Sequence, residues 1–126
     1  MGKLTHDDVL DGSLNVIKNN CTRMVVCSQA VTTFTEANVT YALADVTMES
    51  ADFTIADDTS GRKLTVAAKS GVTVDASDSD ESIHLALLDV DDSKLLYVTT
   101  GTSAGVITSG NTCNIPAWKI SIPDPS

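Results

Sequence analysis

Residues 83–100 constrain the fold of this chain more than any other stretch. Two apolar runs, residues 83–89 and 94–100, flank a short acidic segment that contains no pair of adjacent hydrophobic residues. Runs rich in aliphatic and β-forming residues on either side of a polar turn are typical of a β-hairpin. Because both runs carry apolar residues on both faces, we expect the hairpin to lie inside a sheet rather than at its edge.

A single helix is predicted before the first strand. Leu10, Leu14 and Ile17 recur at helical spacing after two aspartates, whose charges favour the positive end of a helix dipole. Thr5, three residues before an aspartate, resembles the first residue of a capping box. We therefore expect a helix over residues 6–19 that packs one apolar face onto the rest of the domain.

The remainder of the chain shows short runs typical of strands, separated by turns. Residues 29–39 are rich in threonine and indicate a loop anchored by Phe34, and Ser70 and Gly71 indicate a turn. Pro116 lacks a backbone N–H, so it places the beginning of the last strand at an edge or a bulge. Besides the hairpin, the runs that we interpret as strands span residues 23–27, 40–48, 53–55, 62–68, 72–74, 106–107 and 113–122.

These patterns predict a fold class. About eight short strands with frequent turns and one helix are typical of a mainly β protein. We predict an antiparallel β-sandwich or barrel, jelly-roll-like, with one N-terminal α-helix. The 126 residues suffice for one domain, and neither a repeat nor a change of composition divides residues 1–126. Hydrophobic residues make up 42% and aromatic residues 4% of the chain, so the core is expected to be aliphatic.

The charge balance and the cysteines exclude several classes of function. Seventeen acidic side chains against eight basic ones give a formal net charge of −9, so no nucleic-acid partner is expected. No apolar run reaches the length of a membrane span, and the first residues turn polar too early for a secretory signal. The three cysteines, Cys21, Cys27 and Cys113, have no metal-ligand spacing and indicate reduced thiols.

The sequence offers little for catalysis, and we predict a protein that is not an enzyme and has no cofactor. Nucleophilic catalysis needs a base near the nucleophile, and only His6 and His84 are available as histidines. His84 falls within an apolar strand, which indicates a structural role, and His6 falls within the first helical turn. The chain contains no nucleophile elbow, phosphate-binding loop or zinc-protease helix motif.

Two acidic segments leave calcium binding open. The first segment, residues 75–81, contains Asp75, Asp78, Asp80 and Glu81. The second is the turn of the hairpin, residues 89–92, which contains Asp89, Asp91 and Asp92. Closely spaced carboxylates are suitable calcium ligands, although neither segment has the glycine and glutamate positions of an EF-hand. Short acidic side chains also form turns and keep a β protein soluble. We therefore assign no residue as a metal ligand.

Eight segments, spread nearly from end to end, carry a family resemblance. In chain order they are KLTHDDVLD (3–11), CSQ (27–29), TTFTEA (32–37), TSGRK (59–63), GVTVD (71–75), SKLLYVTT (93–100), TSGNT (108–112) and IPAW (115–118). In this order they resemble a group of small virion-associated proteins encoded by tailed bacteriophages. Val31 stands where such proteins tend to have proline, which is a departure from the family pattern in that loop.

The resemblance implies a structural component of the virion and transfers no catalytic residue. Small acidic β proteins of such phages often decorate or cement the capsid, so we expect a decoration protein that stabilises the capsid lattice. The expected partners are further copies of the chain, as a dimer or trimer, and the major capsid protein or other virion proteins. The expected location is the virion, after folding in the cytoplasm of the bacterial host. Two alternatives stay open: a tail or tail-fibre component, and a β recognition module that binds a ligand or calcium.

Overall fold

The fold is mainly β with one N-terminal helix, as the sequence predicts. The structure, a computed structural model, describes residues 6–76, 83–100 and 109–123. Within these residues the strands form three antiparallel sheets. The elements are α1 (Asp7–Asn20), β1 (Arg23–Cys27), β2 (Ala42–Thr47), β3 (Phe53–Asp57), β4 (Arg62–Val66), β5 (Lys69–Thr73), β6 (His84–Asp89), β7 (Lys94–Thr100), β8 (Thr112–Ile115) and β9 (Trp118–Ile122).

Helix α1 begins and ends close to its predicted bounds. His6 is the N-cap, and its Nδ1 accepts a hydrogen bond from the backbone N–H of Asp8 at 3.1 Å. Thr5, the expected capping residue, lies outside the described residues. The buried stripe of the helix is the predicted one, and its most buried member is Leu14, which is 1% exposed. The helical periodicity was therefore a sound guide to the face that packs.

The predicted hairpin is present, but only one of its strands is interior. The four-stranded sheet has the order β2–β1–β6–β7, so β6 lies between two strands and β7 lies at the edge. The expectation that both strands lie inside the sheet is therefore wrong for β7. Strand β6 is buried on both faces, whereas most of β7 is half-buried. The apolar residues of β7 reflect packing above and below the sheet, which does not require a further neighbouring strand.

Two smaller sheets complete the described fold, β3–β4–β9 and β5–β8. The single strand predicted over residues 113–122 is in fact two strands in different sheets, because Pro116 has no N–H to continue a ladder. The turn predicted at Ser70 and Gly71 is also wrong. Both residues lie within β5, where a bulge and a positive φ of 67° at Gly71 change the direction of the strand. The strand predicted over residues 106–107 lies outside the described residues.

The main core lies between the sheets and is closed on one side by α1. Side chains from the helix and from both larger sheets meet in it, and aliphatic residues predominate as expected. Its members that are less than 2% exposed include Leu14, Met24, Phe53, Leu64, Val66 and Leu87. A sandwich of this kind is held together mainly by the apolar area that its layers remove from water.

A second, smaller core covers the other face of the four-stranded sheet. Residues of β1 and β6 pack there against the segment 31–41, which overlaps the loop predicted over residues 29–39 with Phe34 as its anchor. Phe34 does pack against this core, but the segment also contains a π-helical turn, Glu36–Thr40. The Glu36 carboxylate accepts hydrogen bonds from the backbone N–H and the hydroxyl of Thr32, which lower the pKa of Glu36. These bonds close the segment over the sheet.

Candidate functional site

A groove of about 470 Å³ lies where α1, β7 and β9 meet, and we call it the edge groove. Its walls include Val16 and Ile17 of α1, together with Leu96, Tyr97, Ile120 and Ile122 of the two strands. In the part of the chain that the structure describes, β7 and β9 are each the last strand of their sheet. None of the described residues that line the groove is charged, although charged residues make up 20% of the chain.

Polar contacts on one flank of α1 fix its rotation about the helix axis. Asp11 accepts hydrogen bonds from Nε and Nη2 of Arg62 in β4, at 2.8 Å and 3.2 Å. Lys18, seven residues further along the helix and so on the same flank, donates through Nζ to the carbonyl of Phe53 at 2.7 Å. Both contacts tie the charged flank of the helix to the three-stranded sheet.

The opposite flank of α1 faces the edge groove and carries no charge. Val9, Ser13 and Val16 share this flank, because residues three, four and seven apart lie on one side of a helix. Val9 is 69% exposed and Val16 is 50% exposed. Single exposed valines are ordinary on a protein surface. Val16 lines the edge groove, and Val9 lies two turns earlier on the same flank.

A β-bulge aims two consecutive side chains of β7 at the groove. Tyr97 pairs with Leu87 and Leu95 pairs with Leu88, so Leu96 is an extra residue between the two pairs. Consecutive residues of a regular strand point to opposite faces, and a bulge allows two of them to share a face. Leu96 and Tyr97 both pack against the main core, whereas Leu95 packs against the smaller one.

An aromatic pair joins the two sheet edges. The rings of Tyr97 and Trp118 stack with their centroids 5.9 Å apart and their planes 26° apart. The Nε1 atom of Trp118 is buried and has no hydrogen-bond partner among the described residues. An unpaired buried N–H costs about 1–3 kcal/mol, which the ring stacking and the burial of the indole offset. The stack therefore bridges β7 and β9, which belong to different sheets.

Acidic residues surround Arg62 beside the beginning of α1. Arg62, which pairs with Ile122 of β9 across the ladder, also contacts Asp7 at 3.9 Å and Asp57 at 2.7 Å. Asp8, in the same helical turn, is exposed. One arginine is therefore surrounded by several carboxylates beside the beginning of α1.

The turn between β6 and β7 is acidic and lies beside the end of α1. The end of α1 meets the β6–β7 turn, because Oγ1 of Thr22 accepts a hydrogen bond from the backbone N–H of Val90 at 3.1 Å. Asp91 and Asp92 follow in this turn and are exposed. Lys94 is exposed as well, so the turn carries one basic side chain against Asp89, Asp91 and Asp92.

The two acidic segments considered for calcium binding are described to different extents by the structure. Asp75 is described, but the other acidic residues of the segment 75–81 lie outside the described residues. In the hairpin turn, Asp89 is 4% exposed and its Oδ1 accepts the backbone N–H of Asp92 at 3.3 Å. The described residues include no group of three or more His, Cys, Asp or Glu side chains placed to hold a metal ion. The contacts of Asp89 are those of a turn-forming aspartate.

The histidines and cysteines take structural positions. His6 caps α1, and His84 begins β6, opposite Cys27 on one side and Thr100 on the other. Burial raises the pKa of the Cys21 and Cys27 thiols to about 11, so both are protonated and unreactive at neutral pH. Cys27 also donates a weak hydrogen bond from Sγ to a carbonyl oxygen at 3.8 Å.

Comparisons with protein-family models, with curated proteins and with solved structures find no match to this chain. Among the described residues, no helix is both long enough and apolar enough to cross a membrane. Sequence reasoning missed the edge groove, although one signal for it was visible. The uncharged flank of α1 can be read from the helical spacing of Val9, Ser13 and Val16.

Proposed function

We propose that this protein is a non-enzymatic structural component of a tailed-phage virion, most simply a capsid decoration protein that forms oligomers and stabilises the capsid lattice. The single structural observation that supports a binding role is the edge groove, an uncharged apolar surface between two strands that are each the last of their sheet among the described residues. The collinear resemblance to small phage virion proteins supplies the class of partner. A binding protein of this kind needs a complementary surface and no catalytic group.

The physical requirement on such a protein is modest. A protein that binds the assembled lattice but not free capsid subunits stabilises the lattice by mass action, in proportion to the logarithm of its free concentration relative to Kd. Interfaces with this role bury an apolar centre and keep charged residues at the rim. The edge groove supplies such a centre, because its described lining residues are uncharged and mostly apolar.

The test is binding to capsids that lack this protein. Capsids from a phage in which the gene is deleted are incubated with increasing amounts of the purified chain and imaged by electron cryomicroscopy. We expect saturable, stoichiometric occupancy of symmetry-related positions, together with a higher temperature of capsid disruption. Binding to purified tails but not to capsids would instead support the tail alternative. Binding to neither particle would refute the proposal.

A further inference from the structure

We propose that residues 31–41, which we call the strap, open as one unit and uncover the outer face of the four-stranded sheet, while the sheets and the main core stay intact. This motion is a property of the fold and requires no virion partner. Three features of the structure support it: the position of the two ends of the strap, the contacts that hold it down, and the side chains that it covers.

The two ends of the strap meet at the end of a strand ladder. Strand β1 ends at Cys27 and β2 begins at Ala42, and these two residues form the last pair of the β1–β2 ladder. The backbone N–H of Ser28 donates a further hydrogen bond to the carbonyl of Tyr41 at 2.9 Å. A surface loop whose ends are held side by side can leave the surface without breaking the ladder that it connects.

Hydrogen bonds within the strap hold it together as one body. The Glu36 carboxylate accepts the backbone N–H and the hydroxyl of Thr32, at 2.9 Å and 3.0 Å, and the hydroxyl of Thr33 accepts the N–H of Glu36 at 3.1 Å. The π-helical turn Glu36–Thr40 follows, and the N–H of Tyr41 bonds the carbonyl of Glu36 at 2.9 Å. None of these bonds has to break when the strap opens.

Few contacts hold the strap to the sheet. Beyond its ends, two hydrogen bonds among the described residues reach it from β1. Arg23 donates through Nη1 to Oδ1 of Asn38 at 2.6 Å, and Sγ of Cys27 donates weakly to the carbonyl of Ala37 at 3.8 Å. The remaining attachment is apolar, and its two buried side chains are Val31 and Ala37. A segment with so few buried contacts opens at a lower free-energy cost than the whole domain.

The strap covers a face of the sheet that takes no part in the main core. Beneath it lie Val25, Cys27, Ala86 and Leu88 of β1 and β6, each 0% exposed. The main core packs on the opposite face, so its contacts remain when the strap opens. Cys27 therefore reports opening of the strap, whereas Cys21 belongs to the main core and stays covered.

The test is alkylation of the native full chain by iodoacetamide, followed at each cysteine by mass spectrometry. Burial raises the pKa of Cys21 and of Cys27 to about 11, and Cys21 is slightly more exposed, at 3% against 0%. Burial alone therefore gives Cys27 no advantage. With an opening strap, we expect Cys27 to react at least about tenfold faster than Cys21. Its rate should change little in dilute urea, because the opening exposes little surface.

Two matched valines separate opening of the strap from unfolding of the domain. Val31 in the strap and Val72 in β5 are each 5% exposed, and they belong to the smaller and the main core respectively. Val31→Ala is expected to raise the alkylation rate of Cys27 about tenfold, because it removes two carbon groups that only the closed strap buries. Val72→Ala is expected to leave that rate unchanged, because its contacts survive the opening. The urea midpoint of each variant, lower than that of the wild type, shows that both are folded and destabilised.

Two results would overturn the proposal. One is alkylation of Cys27 no faster than that of Cys21, with the same dependence on urea, since both thiols would then react only when the whole domain unfolds. The other is an equal acceleration of Cys27 by Val31→Ala and Val72→Ala, which would mean that the strap has no opening of its own. Neither result bears on binding to virion particles, so the proposed function is tested separately.

Discussion

Truncation of Leu14 tests whether α1 is part of the core or only rests on it. Leu14 is 1% exposed and belongs to the same core as Leu64 and Val66 of β4. Leu14→Ala removes three carbon groups, at about 0.8 kcal/mol each, or about 2.4 kcal/mol of transfer free energy. The cavity adds about 1 kcal/mol, and the higher helix propensity of alanine returns about 0.2 kcal/mol. We therefore expect the free energy of unfolding to fall by about 3 kcal/mol.

Urea unfolding followed by Trp118 fluorescence measures this loss. The indole stacks on Tyr97 between the two sheet edges, so its emission should change when the layers separate. With a slope of roughly 1.5 kcal/mol per molar urea, a loss of about 3 kcal/mol lowers the midpoint by about 2 M. The matched control is Val16→Ala on the same helix, where the side chain is 50% exposed and a change within about 0.5 kcal/mol is expected.

Two results would refute this account of α1. One is a loss below about 1 kcal/mol for Leu14→Ala at an unchanged slope, since no mechanism of cavity formation predicts so little at a fully buried leucine. The other is an equal loss for both variants, which would mean that burial in the main core does not govern the effect, because alanine raises the helix propensity at both positions. In either case α1 would be a docked element that does not close the main core.

The remaining predictions concern pH, thiol reactivity and one turn. Hydrogen bonds from Ser121 and Lys119 lower the pKa of Asp58 from 3.8 to about 2, so its contribution to stability is present above about pH 4 and lost as the pH falls towards 2. Asp58→Asn should be less stable than the wild type at neutral pH, with the difference narrowing in acid; a difference that does not vary with pH contradicts this. Cys113 is the least buried thiol, so mass spectrometry should find it alkylated before Cys21 and Cys27. Faster alkylation of Cys21 or Cys27 would contradict their burial in the fold. Ser93 has a φ of 54°, so Ser93→Gly should raise the free energy of unfolding by up to about 1 kcal/mol in the urea assay, and a decrease would disprove the strain.

Local patterns in the sequence predicted the elements that depend on local chemistry. Helix α1 was predictable because its apolar stripe repeats at helical spacing, and the stripe that contains Leu14 is the buried one. The β6–β7 hairpin was predictable because a polar turn separates two β-forming runs. The antiparallel class followed from the density of turns, since parallel strands need long crossovers.

The position of each strand in its sheet could not be predicted in the same way. Strands β6 and β7 have similar apolar composition, yet one is central and the other is at an edge. Strand order depends on pairings between residues far apart in the chain, such as β1 with β6 and β4 with β9. No local pattern encodes those partners. The signal from Pro116 was visible, but its consequence, strands in two different sheets, depends on the same distant pairings.

The edge groove depends both on local patterns in the sequence and on pairings between residues far apart in the chain. The sequence alone places the charges of α1 on one flank and Val9 and Val16 on the other. The stripe of Leu10, Leu14 and Ile17 decides which face of α1 is buried, and the guanidinium of Arg62 binds Asp11 on the charged flank. Val9 and Val16 therefore stay exposed on the other flank, and Val16 lines a groove between strands that are the last of their sheets among the described residues. A local apolar stripe and an ion pair to a distant strand thus act together to set which side of α1 faces solvent.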